Sequence, residues 1–381
     1  VGVRARQRRA GVTRALLALF AVAWALCAAL LVGPVPVVAV LGTLALFALP
    51  GWALTRTAIG ALGGLAVSAV GNALLVRLNG WNVALTALLL LVATGAALLL
   101  RRRLRTAPLV VERDARDARF LLVVALLLLA VVAVPLARNP TADGATDSHA
   151  YHSLMAHDYL MRGTFAVGVR HGLPPRDAFL ASERLDNYCL YYSLVAFAME
   201  ASGGTALPER FVAAADLVLP FLFLLALFAA CRVVLPGRWP WVAVLLGVLA
   251  YSFNDLFVFT KYVRWSGIDR LHDFAAEFSD LSHGWTRDFL VEPHAVLALT
   301  FGITAVALSL HALRTRSERH PVVPLALLLV GAFASDGFLG TLFVLFVALS
   351  YPVRWLRHRD APYVPGPGAW IRLGGLFAVL A

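Results

Sequence analysis

Hydrophobic residues fall along this chain in long blocks, not in the short alternations of a water-soluble fold. Apolar runs of about 17 to 25 residues, the length that crosses a hydrocarbon core, recur from the start. The first occupies Ala15 to Val32. After a turn at Gly33, Pro34 and Pro36 the next continues to Leu54, followed by Thr57 to Val76, Trp81 to Leu100 and Phe120 to Leu136. A second series holds Phe211 to Leu235, Trp239 to about Ser252, a span ending at Arg314, and the stretch Pro321 to Trp355. Ser335, Asp336 and Gly337 interrupt that last stretch, which predicts two short helices meeting at an outer turn rather than one long helix. The expected fold is all-α: a polytopic transmembrane helical bundle of about 10–11 spans.

Two long polar stretches separate the blocks. The expected organisation is therefore N-terminal transmembrane helices over 1–138, a large loop over 139–210 and a transmembrane hairpin over 211–252. A second large loop over 253–292 and C-terminal transmembrane helices over 293–381 complete it. Loops of this length are uncommon as passive connections and tend to carry function. The chain stops inside the apolar run Leu373 to Ala381, too short to span, as expected of a truncated final helix.

Composition agrees: 60% of residues are hydrophobic, 14% are charged and mean hydropathy is +0.79, too little charge for a water-facing shell. The net charge of +11 invites a nucleic-acid reading until the charges are placed. With alternate crossings and a cytoplasmic N-terminus, 22 of the 33 Lys and Arg lie inside while 17 of the 22 acids lie outside. That asymmetry is the positive-inside rule, so no nucleic-acid partner is expected, and both long loops are placed on the extracytoplasmic side of the plasma membrane. Three cysteines, Cys27, Cys189 and Cys231, give no disulfide framework.

The first loop carries the densest chemistry. Asp143 and Asp147 precede Tyr151-His152, His157-Asp158 and Gly163. Thr146 or Asp147 is placed to cap a helix that Gly163 ends, and its mixture of Leu, Met and polar residues predicts a juxtamembrane helix lying on the membrane surface. Further on, Pro174-Pro175-Arg176-Asp177 fixes an extended turn, and Asn187-Tyr188 with Tyr191-Tyr192 leads into an apolar run read as a second docking element against the membrane.

The segment Asp143 to Phe197 resembles the first external loop of the GT-C class of membrane glycosyltransferases, in which an acidic residue is followed by a juxtamembrane helix. Its Pro-Pro-x-Asp and tyrosine-rich stretches are similar to those of an uncharacterised branch, with weaker support from Glu292-Pro293-His294. The resemblance implies inverting transfer of a sugar from a polyprenyl-phosphate donor to a hydroxyl on an envelope glycan, lipid or protein acceptor. Asp147 matches the acidic position and is the leading general-base candidate, with Asp143 second. Tyr151, His152, Arg176, Tyr188, Lys261, Arg264, Arg287 and His294 are the candidate substrate contacts. Basic groups among them are suited to the charge gathering on a departing phosphate.

Each candidate has a plainer reading. Asp147 is also a good helix cap, and external Arg residues also contact phospholipid headgroups. His149 and His152 form no complete metal motif, so no metal site is assigned and a divalent cation is not required. Asp216, inside the start of a span, is costly there and marks a functional position unless it reaches the water boundary to pair with Arg210. Asp336 reads as a turn residue. The rival class is a transporter or flippase, which would place its essential groups at mid-membrane rather than in the loops.

Overall fold

The computed structural model describes residues 2–104, 115–138, 154–173, 189–204, 206–249, 293–314, 322–357 and 367–380. Every element among them is a helix. The first five are α1 (Gly2–Leu31), α2 (Pro34–Thr55), α3 (Ala58–Asn79), α4 (Val83–Leu104) and α5 (Ala115–Arg138). Then come α6 (Leu154–Val169), α7 (Cys189–Ala201), α8 (Pro208–Asp216), α9 (Leu219–Val234) and α10 (Trp239–Leu249). The chain closes with α11 (Pro293–Arg314), α12 (Val322–Ser335), α13 (Gly337–Arg357) and α14 (Pro367–Leu380).

Six segments are long and apolar enough to span a bilayer: Val12–Leu31, Pro34–Thr55, Ala58–Leu78, Val83–Arg102, Pro208–Val234 and Pro293–Ala312. Four shorter apolar helices accompany them. The protein is membrane-embedded, and the all-helical choice follows from that solvent, because lipid offers no partner for a free N–H or C=O.

The helix ends show how local sequence punctuates the blocks. Gly33, at φ 97°, turns the chain between α1 and α2 in a conformation that a Cβ would strain. Between α2 and α3, Arg56 adopts the left-handed region and lays its guanidinium 3.8 Å from the Trp52 ring centroid. Thr57 then caps α3 by accepting the Gly60 N–H at 3.1 Å. The same helices meet so closely that a Cβ on Gly51 would strike the Gly60 carbonyl and the Gly64 backbone, the small-residue packing that lets membrane helices approach.

The core gathers around α7, which packs against α2, α3, α6, α8, α11 and α12. All residues from Leu190 to Met199 are buried, and Tyr191 and Tyr192 are among the largest fully enclosed side chains. Phe197 meets Phe47 of α2 edge-on at 5.0 Å, and Tyr192 meets Phe165 of α6 at 5.5 Å. The expectation that this run docks on the membrane surface is corrected: α7 lies inside the bundle. Its aromatics are enclosed all round, as a helix without a polar stripe requires.

A second correction concerns Gly163. The helix does not end there but continues to Val169, and an added Cβ would meet Pro208 and the Glu209 backbone at 3.0 Å. This glycine lets α6 close on α8. The expected break at Ser335-Asp336-Gly337 is present as a tight turn between α12 and α13.

Candidate functional site

Buried polar side chains collect where the two long loops join the helices. Pro220 has no N–H to offer the Asp216 carbonyl four residues earlier, so the helix breaks between α8 and α9. The Leu217 carbonyl accepts from Trp24 Nε1 of α1 at 2.9 Å instead. The break leaves Asp216 at a helix end, 0% exposed, about 12 Å along the segment from Pro208. Asp216 is thus enclosed inside the bundle.

Facing it is α7, whose Tyr191 hydroxyl lies within Coulombic range of Asp216, Arg162 and Tyr192. Arg162 comes from α6. It belongs to the stripe Arg162, Phe165, Ala166 and Val169, the i, i+3, i+4, i+7 face that this helix buries. A guanidinium therefore occupies a position where packing calls for an apolar side chain, and it is 5% exposed. Its Nε and Nη1 have no hydrogen-bond partner among the described residues, nor has the Tyr191 hydroxyl.

The second loop delivers His294 to the same place. It sits in the first turn of α11, 6% exposed, within the field of Arg162. Its Nε2 lies 3.6 Å from Asp336 Oδ2, an ion-pair distance rather than a hydrogen bond. Asp336 uses its other oxygen to cap α13, accepting the Leu339 N–H at 2.9 Å. The turn residue expected from sequence is also a neighbour of the one sequence-assigned substrate contact that the structure describes.

Beside Tyr191 runs a narrow, partly open crevice lined by Val40, Thr43, Leu44, Leu194, Val195, Ala215, Leu219 and Leu297. Its walls are apolar except at Thr43 and Tyr191. No group of three or more His, Cys, Asp or Glu among the described residues could hold a metal ion.

Of the assigned residues, Asp143, Asp147, Tyr151, His152, Arg176, Tyr188, Lys261, Arg264 and Arg287 lie outside the described residues, as do His149 and Arg184. Sequence reasoning missed Arg162 and Tyr191. For Arg162 the signal was available: a lone Arg on the apolar stripe of an otherwise well-patterned helix. Compared with protein-family models, curated proteins and solved structures, the chain matches none.

Proposed function

We propose that this protein is an integral membrane glycosyltransferase that moves a sugar from a polyprenyl-phosphate donor to an envelope acceptor hydroxyl at the extracytoplasmic face of the plasma membrane. The observation that carries the reading is the meeting of Arg162, Tyr191, Asp216, His294 and Asp336 at the feet of both long loops. A loop-borne base needs charged and polar partners close to the loops, and this buried cluster supports that reading. The motif resemblance between Asp143 and Phe197 supplies the reaction class.

In this scheme Asp147 removes the acceptor proton as the hydroxyl attacks the anomeric carbon and the bond to the lipid phosphate breaks. Basic groups of the site stabilise the negative charge left on the phosphate. Asp147→Asn keeps size and capping ability while removing the base. The expected result is a loss of roughly 100-fold or more in transfer by folded, inserted protein, assayed in membranes with a panel of polyprenyl-phosphate sugars. Wild-type transfer by this variant removes Asp147 from the role and makes Asp143 the residue to test.

One observation favours the transporter reading instead. A helix broken inside the bundle at a buried acid, as at Asp216, is how many transporters form a substrate site. Substrate movement into sealed proteoliposomes, without any transferred product, would select it.

A further inference from the structure

Arg162 carries the observation furthest. A guanidinium withdrawn from water costs several kcal/mol unless its donors are satisfied, and buried polar groups are satisfied in the great majority of cases. Here two of its nitrogens have no acceptor among the described residues. No ion pair joins it to an acid among them either. Asp216 lies within Coulombic range of Tyr191, and Asp336 lies 3.6 Å from His294, but neither is an ion-pair partner of Arg162. The Tyr191 hydroxyl, equally unpartnered, stands within Coulombic range of the same guanidinium. An unsatisfied guanidinium with an unsatisfied hydroxyl within its field suits a tetrahedral oxyanion, a ligand that Arg binds effectively.

We infer that Arg162 of α6 and the Tyr191 hydroxyl of α7 receive the phosphate group of an amphiphile whose apolar portion lies in the adjoining crevice. The crevice decides between a lipid and a soluble phosphate. Tyr191 is one of its lining residues, and apart from Thr43 the rest of the wall is aliphatic side chains of α2, α7, α8, α9 and α11. A free phosphate ion gains nothing from such a wall, whereas an acyl or prenyl chain buries apolar surface there. In assigning the phosphate to a sugar donor the inference rests on the transferase reading. The anion site itself stands or falls on binding alone.

The test uses the full chain purified in a phosphate-free maltoside detergent, with no sugar present. Binding of a polyprenyl phosphate, the polyprenol of equal length and inorganic phosphate is read by native mass spectrometry and by the shift in unfolding temperature. The polyprenyl phosphate is expected to bind and to raise that temperature, and the polyprenol is not. Arg162→Met is expected to weaken binding about tenfold or more, and Tyr191→Phe about threefold to tenfold, since each removes donors to a charged group. Equal binding of phosphate and alcohol, or undiminished affinity in Arg162→Met, overturns the site. If Arg162→Met does not insert, Tyr191→Phe carries the test, and wild-type affinity there overturns it. Binding of inorganic phosphate with no added effect of the chain overturns the lipid assignment. Intact phosphate binding without transfer from any donor counts against the transferase reading and leaves this site standing.

Discussion

Among the described residues two groups of charge, one partly buried and one buried, are built in opposite ways. Asp117 at the start of α5 is held by Arg232 of α9 and by Trp241 of α10. Arg232 donates to Asp117 Oδ2 through Nη2 and, at 3.0 Å, through Nε, while Trp241 Nε1 donates to Oδ1 at 2.7 Å. Arg232 Nη1 reaches the Gly237 carbonyl at 3.2 Å, and Trp241 stacks on Phe120 with ring centroids 5.6 Å apart. Both carboxylate oxygens and all three guanidinium nitrogens are engaged. At the loop end, Arg162 and Tyr191 retain open donors in surroundings at least as dry. A satisfied ion pair fastens three helices together. Open donors add nothing to the free fold, and such groups persist where a ligand completes them.

Removing one partner from the satisfied group is expected to have the largest effect. Asp117→Ala leaves the partly exposed Arg232 guanidinium and the Trp241 N–H without their acceptor, a loss of about 2–4 kcal/mol. Thermal or denaturant unfolding in detergent measures it. Adding Arg232→Met is expected to recover most of the loss, because a stranded charge and not a missing contact is what destabilises the single variant. A double variant as unstable as Asp117→Ala would show that the two ends do not differ in the way described.

Arg162→Met is expected to move stability the other way. With no acid partner to strand among the described residues and a side chain of similar length to fill the stripe, the ligand-free protein should unfold later, with a gain of about 1–4 kcal/mol. A destabilised but inserted Arg162→Met protein would mean that the guanidinium is already satisfied without ligand, and the contrast between the two ends would vanish.

Those two ends were unequally legible in the sequence. The six long spans followed from apolar length alone, and the breaks at Gly33 and Asp336 fall where turn chemistry placed them. That is expected when lipid forces every long apolar run into helix. α7 was misread because aromatic and apolar composition is the same at a membrane interface and in a core; only its neighbours distinguish the two. Gly163 was misread because a glycine that ends a helix and one that admits a neighbour look alike until that neighbour, α8, is known. Asp117 was not singled out from sequence, because its partners stand 115 and 124 residues away. His294 was found through its motif, but its approach to Asp336 depends on how α11 and the α12–α13 turn pack.

Asp336 gives the smallest effect and the finest test, because it belongs to both descriptions at once. One oxygen does structural work, capping α13 through the Leu339 N–H, and the other faces His294. Asp336→Ala removes both and is expected to cost about 1 kcal/mol, the usual worth of an N-cap. Asparagine caps a helix about as well as aspartate, so Asp336→Asn should keep stability within a few tenths of a kcal/mol of wild type. It nevertheless removes the negative charge 3.6 Å from His294 Nε2. Phosphate binding separates the two roles. If the loop-end cluster works as one electrostatic unit, loss of the acid beside His294 should tighten phosphate binding by a few-fold while the unfolding temperature stays put. If Asp336→Asn lowers stability as far as Asp336→Ala and leaves phosphate affinity unchanged, Asp336 belongs with the satisfied group as a structural residue, and the receptor ends at Arg162 and Tyr191.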